Sequence, residues 1–245
     1  MNETMTVLVL GATGATGQLL VRQLLDRGLK VKAIVRSPDR IPDSLRQHES
    51  LSLIRASVLD LSDTEMAEHV AGCEAVASCL GHNLTFKGIF GQPRRLVTDA
   101  AERCCQAMRA NGSDKPNKFV LMNTAGNSNR DLNEPISLAQ SCVIGLLRWL
   151  VPPHRDNEKA ADYLRTEVGK NDTEIQWAAV RPDSLFDEDS VSAYELHPSP
   201  TRSAIFNPGR TSRINVAHFT ADLIMNHDAW EKWKGQMPVI YNQES

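Results

Sequence analysis

Apolar runs of four to six residues alternate with segments of helical period along most of the chain. The run at 5–10 (MTVLVL) is followed at once by glycine and predicts a buried parallel strand. Over 14–27, Leu20, Val21, Leu24 and Leu25 form the stripe of a helix packed on a sheet, and Gly28 predicts its end. Further apolar runs predict strands at 31–35, 51–55, 75–79, 118–122 and 175–180. Between the fourth and fifth of these six strands, Leu96, Val97, Ala100, Ala101, Cys104, Cys105 and Met108 mark one face of a helix over 96–108. Strand and helix in this alternation predict an α/β fold, a doubly wound parallel sheet with right-handed crossovers and helices on both faces.

The pattern shows no repeat, no low-complexity tract and no linker, so residues 1–245 read as one domain. Two segments interrupt it. Residues 127–153 follow the fifth strand and carry an apolar helix at 138–151; residues 183–213 are rich in Pro and Ser. Both follow carboxyl ends of strands, where open α/β sheets place their ligands, and are read as substrate-side elaborations.

Composition narrows the class. With 41% of 245 residues hydrophobic, the chain can bury a full core. The net charge of −3 comes from 27 basic and 30 acidic residues interspersed, which leaves no basic stripe for nucleic acid. No stretch approaches the roughly 18 consecutive apolar residues of a membrane span, and the start lacks the basic region of a signal peptide. The five cysteines, Cys73, Cys79, Cys104, Cys105 and Cys142, have no C-x-x-C spacing. That favours a reducing, cytoplasmic setting over a disulfide framework, and no metal site is expected. Cys104 and Cys105 read as small core residues; the alternative, a vicinal redox pair, fits disulfide geometry poorly.

The sharpest motif is Gly11-Ala12-Thr13-Gly14-Ala15-Thr16-Gly17, directly after the first strand and opening the first helix. Gly11 permits a tight turn, Gly14 lets the chain approach a pyrophosphate, and Gly17 lets the helix pack on the strand. The amides of Thr13 to Gly17, with the positive end of the helix dipole, can then hold phosphates. In this context the sheet is Rossmann-like and its ligand a dinucleotide. An acidic residue ending the second strand would select NAD; the chain instead has Lys32, Arg36 and Ser37, which suit the 2′-phosphate of NADP(H). Asp60, after the third strand, is a candidate for the adenine amino group or for capping the helix beginning near Ser62.

These residues resemble the atypical short-chain dehydrogenase/reductase group, whose glycine loop reads G-A-T-G-x-x-G. More narrowly, the chain resembles the NAD(P)H-binding proteins grouped with biliverdin-IXβ/flavin reductase and the NmrA-like regulators. The likeness includes Val35-Arg36, Asp60, Ser78-Cys79-Leu80-Gly81, Asn123-Thr124-Ala125-Gly126, Val180-Arg181-Pro182 and the segment 211–217. It implies that Leu80, Gly81, Thr124 and Pro182 line the ribose-nicotinamide half of a cofactor site. The larger family relies on Tyr-x-x-x-Lys. Here Tyr163, Tyr194 and Tyr241 are followed four positions on by Glu167, Pro198 and Ser245, and Arg155 stands four before Lys159. Arginine is a poor general acid near neutral pH, so tyrosine-based carbonyl reduction is disfavoured. Lys159 remains a candidate for the ribose hydroxyls, or a surface lysine paired with Asp156.

His82 and His154 sit on the expected ligand edge and are candidate proton donors, His82 foremost; Thr124 is a candidate donor to a substrate oxygen. Phe86, Phe90 and the 138–151 helix are candidates for an apolar wall against a flat conjugated ligand, or the helix for a contact with a second copy in a homodimer. Two functions follow. One is an NADPH-dependent reductase passing hydride to a small conjugated acceptor such as a flavin, quinone, tetrapyrrole or enone. The other is a non-catalytic NADP(H)-sensing or scaffold protein of NmrA-like type.

Overall fold

The computed structural model describes residues 4–82, 91–132, 134, 143, 145, 146 and 151–243. Six strands stand where the apolar runs predict them: β1 (Thr6–Leu10), β2 (Lys30–Val35), β3 (Leu51–Arg55), β4 (Ala75–Ser78), β5 (Asn117–Met122) and β6 (Ile175–Pro182). The helices are α1 (Ala15–Asp26), α2 (Asp43–Arg46), α3 (Asp63–Val70), α4 (Leu96–Asn111), α5 (Pro152–Tyr163), α6 (Arg213–Met225) and α7 (His227–Trp233).

Alternation along β1 shows why the sheet is covered on both sides. Val7 and Val9 join the core beneath α1 and α6, whereas Leu8 and Leu10 join the core beneath α3, α4 and α5. Cys104 and Cys105 are fully buried in the second core, as small apolar residues. Cys73, Cys79, Cys104 and Cys105 are all free thiols.

The segment 183–213 and the chain end add four short strands that their apolar content did not announce: β7 (Ser184–Phe186), β8 (Tyr194–His197), β9 (Arg210–Ser212) and β10 (Val239–Asn242). The sheet runs β3-β2-β1-β4-β5-β6-β10-β8, and β7 pairs with β9 apart from it. Among the described residues every pairing is parallel except β10 with β8, so the doubly wound parallel sheet that the alternation predicts carries one antiparallel strand at its edge. Strands of three or four residues carry little period, and of those this short only β4 is predicted from an apolar run.

From β1 the chain moves outward through β2 and β3, then returns to β4 beside β1 and moves the other way. That reversal opens a crevice at the carboxyl ends of β1 and β4. Among the described residues no helix is long and apolar enough to cross a membrane. The 138–151 helix and Cys142 fall largely outside the described residues, as do Phe86 and Phe90.

Candidate active site

The crevice is built first from main chain. Gly11 follows β1 with φ +75°, and a Cβ on it would lie 2.5 Å from the Cys79 carbonyl oxygen. The Gly14 amide donates to the Gly11 carbonyl at 2.9 Å and closes the turn. A Cβ on Gly17 would lie 2.2 Å from that same carbonyl oxygen, closer than any side chain allows, so α1 rests on the loop only because position 17 is glycine. Gly14 is the N-cap of α1; no side chain caps the helix and its first turn holds no acidic residue. The exposed amides and the positive helix end therefore face the crevice uncompensated, as an anion site requires.

The cleft above this loop is lined by Thr13, Gly14, Val35, Arg36, Val58, Leu80 and Gly81, with Arg40, Pro93 and Leu96 completing its walls. Cys79 lies on its floor, where burial pushes the thiol up to about 12. Arg36 and Arg40 are exposed on the cleft, and neither guanidinium has a hydrogen-bond or ion-pair partner among the described residues. The nearby Asp39 is paired with Arg46 at 3.2 Å. Gln18 holds the arrangement together: its Nε2 donates to the Thr13 carbonyl at 3.2 Å and to the Arg40 carbonyl at 3.0 Å.

Several sequence candidates are elsewhere. Lys32 does not serve the cleft; it lies inside β2 and its Nζ donates to the carbonyls of His69 (3.2 Å) and Ala71 (2.8 Å), closing the end of α3. Asp60 is exposed on the turn after β3, where Ala56, Ser57 and Val58 line the cleft instead. Nor does Asp60 cap α3: Ser62 does, accepting from the Glu65 amide while Glu65 accepts from the Ser62 amide at 2.7 Å. Ser37 opens the turn Pro38–Arg40 without lining the cleft.

Further along the sheet edge, side chains replace main chain. Asn123 follows β5; its Nδ2 donates to the Asn157 carbonyl at 2.9 Å and its Oδ1 accepts from the Thr124 amide at 2.8 Å. The Thr124 hydroxyl accepts from the Gly126 amide at 3.2 Å, so it holds backbone. His154 packs against Gly126, where a Cβ would lie 3.7 Å from its Cε1. Its Nε2 is buried without a hydrogen bond, 3.5 Å from Glu158 Oε1. Pro182 is buried, and its carbonyl accepts from the Ala125 amide at 2.8 Å.

Asp156 does not pair with Lys159. Its buried carboxylate accepts from His82 Nε2 (2.8 Å), the Val97 amide (2.8 Å), the Thr98 amide (3.1 Å) and the Thr98 hydroxyl (2.6 Å). Burial alone would raise this carboxyl; the bonds from His82, Thr98 and the two amides outweigh it and hold it below the ordinary carboxylate range. The sequence reading missed Arg40, Gln18 and this role of Asp156. Arg40 was findable, four residues beyond Arg36 in a chain segment that must turn at Pro38. Asp156 was not, because its partners lie 58 and 74 positions away.

The family model that matches the chain is described as NAD(P)H-binding and covers residues 11–227. An uncharacterized chloroplastic protein of Arabidopsis thaliana is 39% identical over 123 residues, half of this chain and 42% of that protein's length. The chain thus spans less than half of this relative. Among solved structures, a wide-type short-chain dehydrogenase/reductase from Veillonella parvula, in complex with NADP, superimposes with a TM-score of 0.70. It is 16% identical, over 97% of this chain and 94% of that one. A candidate NADH-flavin reductase from Streptococcus pneumoniae superimposes with a TM-score of 0.64 at 18% identity, over 98% of this chain and all of that one. These likenesses establish the Rossmann-like fold.

Proposed function

The chain belongs to the NAD(P)H-binding family, and from that premise we propose that it is an NADPH-dependent reductase acting on a small conjugated acceptor. The observation that carries the cofactor choice is the pair of unpartnered guanidiniums, Arg36 and Arg40, on a cleft whose other wall is the uncapped start of α1. The residues fit the group. The Gly11–Gly14 turn and the first amides of α1 would hold the diphosphate, and the two arginines the 2′-phosphate. Val58, Leu96 and Pro93 offer an apolar slot for the adenine, a task Asp60 is not placed to share. Leu80, Gly81, Thr124, Lys159 and Pro182 belong to the nicotinamide half in this reading.

A reduced nicotinamide, when bound, supplies hydride. The chain's own residues orient the acceptor, exclude water and supply the one proton that balances the charge. His82 is the residue assigned to that proton, with His154 on the substrate side. Arg155, exposed where the larger family has tyrosine, cannot supply it. This favours acceptors that need hydride more than a strong acid: flavins, quinones, tetrapyrroles and enones. The free cysteines accord with a reducing compartment, the cytoplasm in this reading.

Calorimetry with NADPH and NADH tests the cofactor choice. NADPH should bind more tightly, and Arg36→Ala or Arg40→Ala should each weaken NADPH by roughly tenfold while leaving NADH unchanged, the scale of one charge-assisted contact. Equal affinity for the two nucleotides in the wild type would remove the assignment. A panel of acceptors, read at the nicotinamide absorbance, tests the reaction. Binding without turnover would instead support the NADP(H)-sensing role.

A further inference from the structure

Helix α4 begins without a cap of its own. Arg95 stands at its N-cap and gives no side-chain bond to the helix start, yet Val97 and Thr98 are buried, so their amides need acceptors within the protein. Asp156, from α5, provides them. Oδ1 takes the Thr98 amide and hydroxyl; Oδ2 takes the Val97 amide and His82 Nε2. Those four donors fill the acceptor sites of one carboxylate.

This saturation decides the state of the histidine. An ionised carboxylate only accepts, so the imidazole nitrogen facing it must carry hydrogen. Three of the four donors come from α4, which keeps Asp156 ionised whichever proton His82 holds. The His82 side chain is 6% exposed, and Asp156 is fully enclosed. The ring nitrogen left free by this contact is Nδ1.

Resting on the reductase reading above, we infer that Asp156 is a positioning residue, which fixes His82 as the Nε2–H tautomer so that Nδ1 delivers the proton to the reduced acceptor. The balance closes. The acceptor gains two electrons and one hydrogen as hydride from the dihydronicotinamide, which is oxidised. It gains its second hydrogen as the Nδ1–H bond of the imidazolium breaks and an O–H or N–H bond forms on the acceptor. His82 is left neutral, with hydrogen on Nε2, and water recharges Nδ1. The same carboxylate that starts α4 thereby sets the proton-delivering atom.

The first test needs neither cofactor nor acceptor. In protein labelled with 15N-histidine, nitrogen chemical shifts report the tautomer of neutral His82, whose signals are those lost in His82→Gln. The expected result is hydrogen on Nε2 and a bare Nδ1. In Asp156→Asn, a side chain that also caps helices well, the carboxamide NH2 takes the place of Oδ2 and should drive hydrogen to Nδ1. With an acceptor that the wild type reduces, this variant should lose about 100-fold in kcat, with KM and NADPH affinity nearly unchanged. His82→Gln guards against a fold defect, because its amide can still donate to Asp156. It should keep the wild-type melting temperature and lose kcat to the same extent.

Hydrogen on Nδ1 in the wild type, or an unchanged tautomer in Asp156→Asn, would overturn the inference and leave the reductase reading standing. Undiminished turnover in His82→Gln would do the same. If the wild type oxidises NADPH with no acceptor at all, the reductase reading fails and the proton delivery with it, even where the tautomer is as expected.

Discussion

Around Gly11 the sheet edge is made of main chain: a turn closed by one amide, a helix end with no cap, and carbonyls packed to within the radius of a missing Cβ. Around Pro182 the same edge is made of side chains. Arg181, fully buried, donates from Nε to the Met237 carbonyl (2.6 Å) and from Nη1 to the Asn127 carbonyl (2.9 Å). Its Nη2 donates to Glu134 Oε1 (2.8 Å) and the Pro198 carbonyl (3.0 Å). The first region presents amide dipoles, which in the proposed function meet an anion, and backbone does that with seven contiguous residues. The second must tie β6 and β10 to both inserted segments, and only long side chains reach that far. The two ends of this sheet edge therefore differ in what a substitution can break.

The largest effect is expected at Arg181. Arg181→Met leaves the Glu134 carboxylate, 3% exposed, without its cation, and should cost about 3–5 kcal/mol in urea unfolding. Adding Glu134→Leu should return much of that loss, because removing both charges also removes the uncompensated one. A single variant costing under about 1 kcal/mol would mean that the far end is not held by this ion pair, and the contrast between the regions would collapse.

At the main-chain end, a single methyl group is the probe. Gly17→Ala puts a Cβ where the Gly11 carbonyl already is, and nothing flexible can yield. We expect about 3 kcal/mol of lost stability and at least tenfold weaker NADPH binding, since the loop must open to admit it. Unchanged binding and stability would show that the loop has slack, and that its glycines are not required by packing.

The same contrast explains what was legible in the sequence. The six central strands, the α1 stripe and the glycine loop could be read because each is a local pattern, complete within a dozen residues. The place of Arg36 on the cleft followed from the position of one strand. Lys32 and Asp60 misled for one reason: a charge near a strand end says nothing of which way it points, and one closes α3 while the other faces solvent. The partners of Asp156 and Arg181 were beyond sequence reasoning. They are chosen by the folded path of the chain across separations of 17 to 74 positions, which leave no period and no motif. The short strands β7 to β10 were lost similarly, since their register is set by neighbours already in place.

The smallest effect sharpens the comparison from within the main-chain region, at its one side-chain strut. Gln18 Nε2 bridges the Thr13 and Arg40 carbonyls, so it links the turn proposed for the diphosphate to the arginine proposed for the 2′-phosphate. Gln18→Ala should cost only about 1 kcal/mol of stability, because both carbonyls can turn to water. If the strut serves Arg40, NADPH affinity should fall about fivefold while NADH affinity stays put, a difference calorimetry resolves. Gln18→Glu, of the same shape but unable to donate when ionised, should do no better than alanine. Equal losses for both nucleotides would place the strut's effect in the glycine loop itself, and Arg40 would then owe its position to the turn at Pro38 alone.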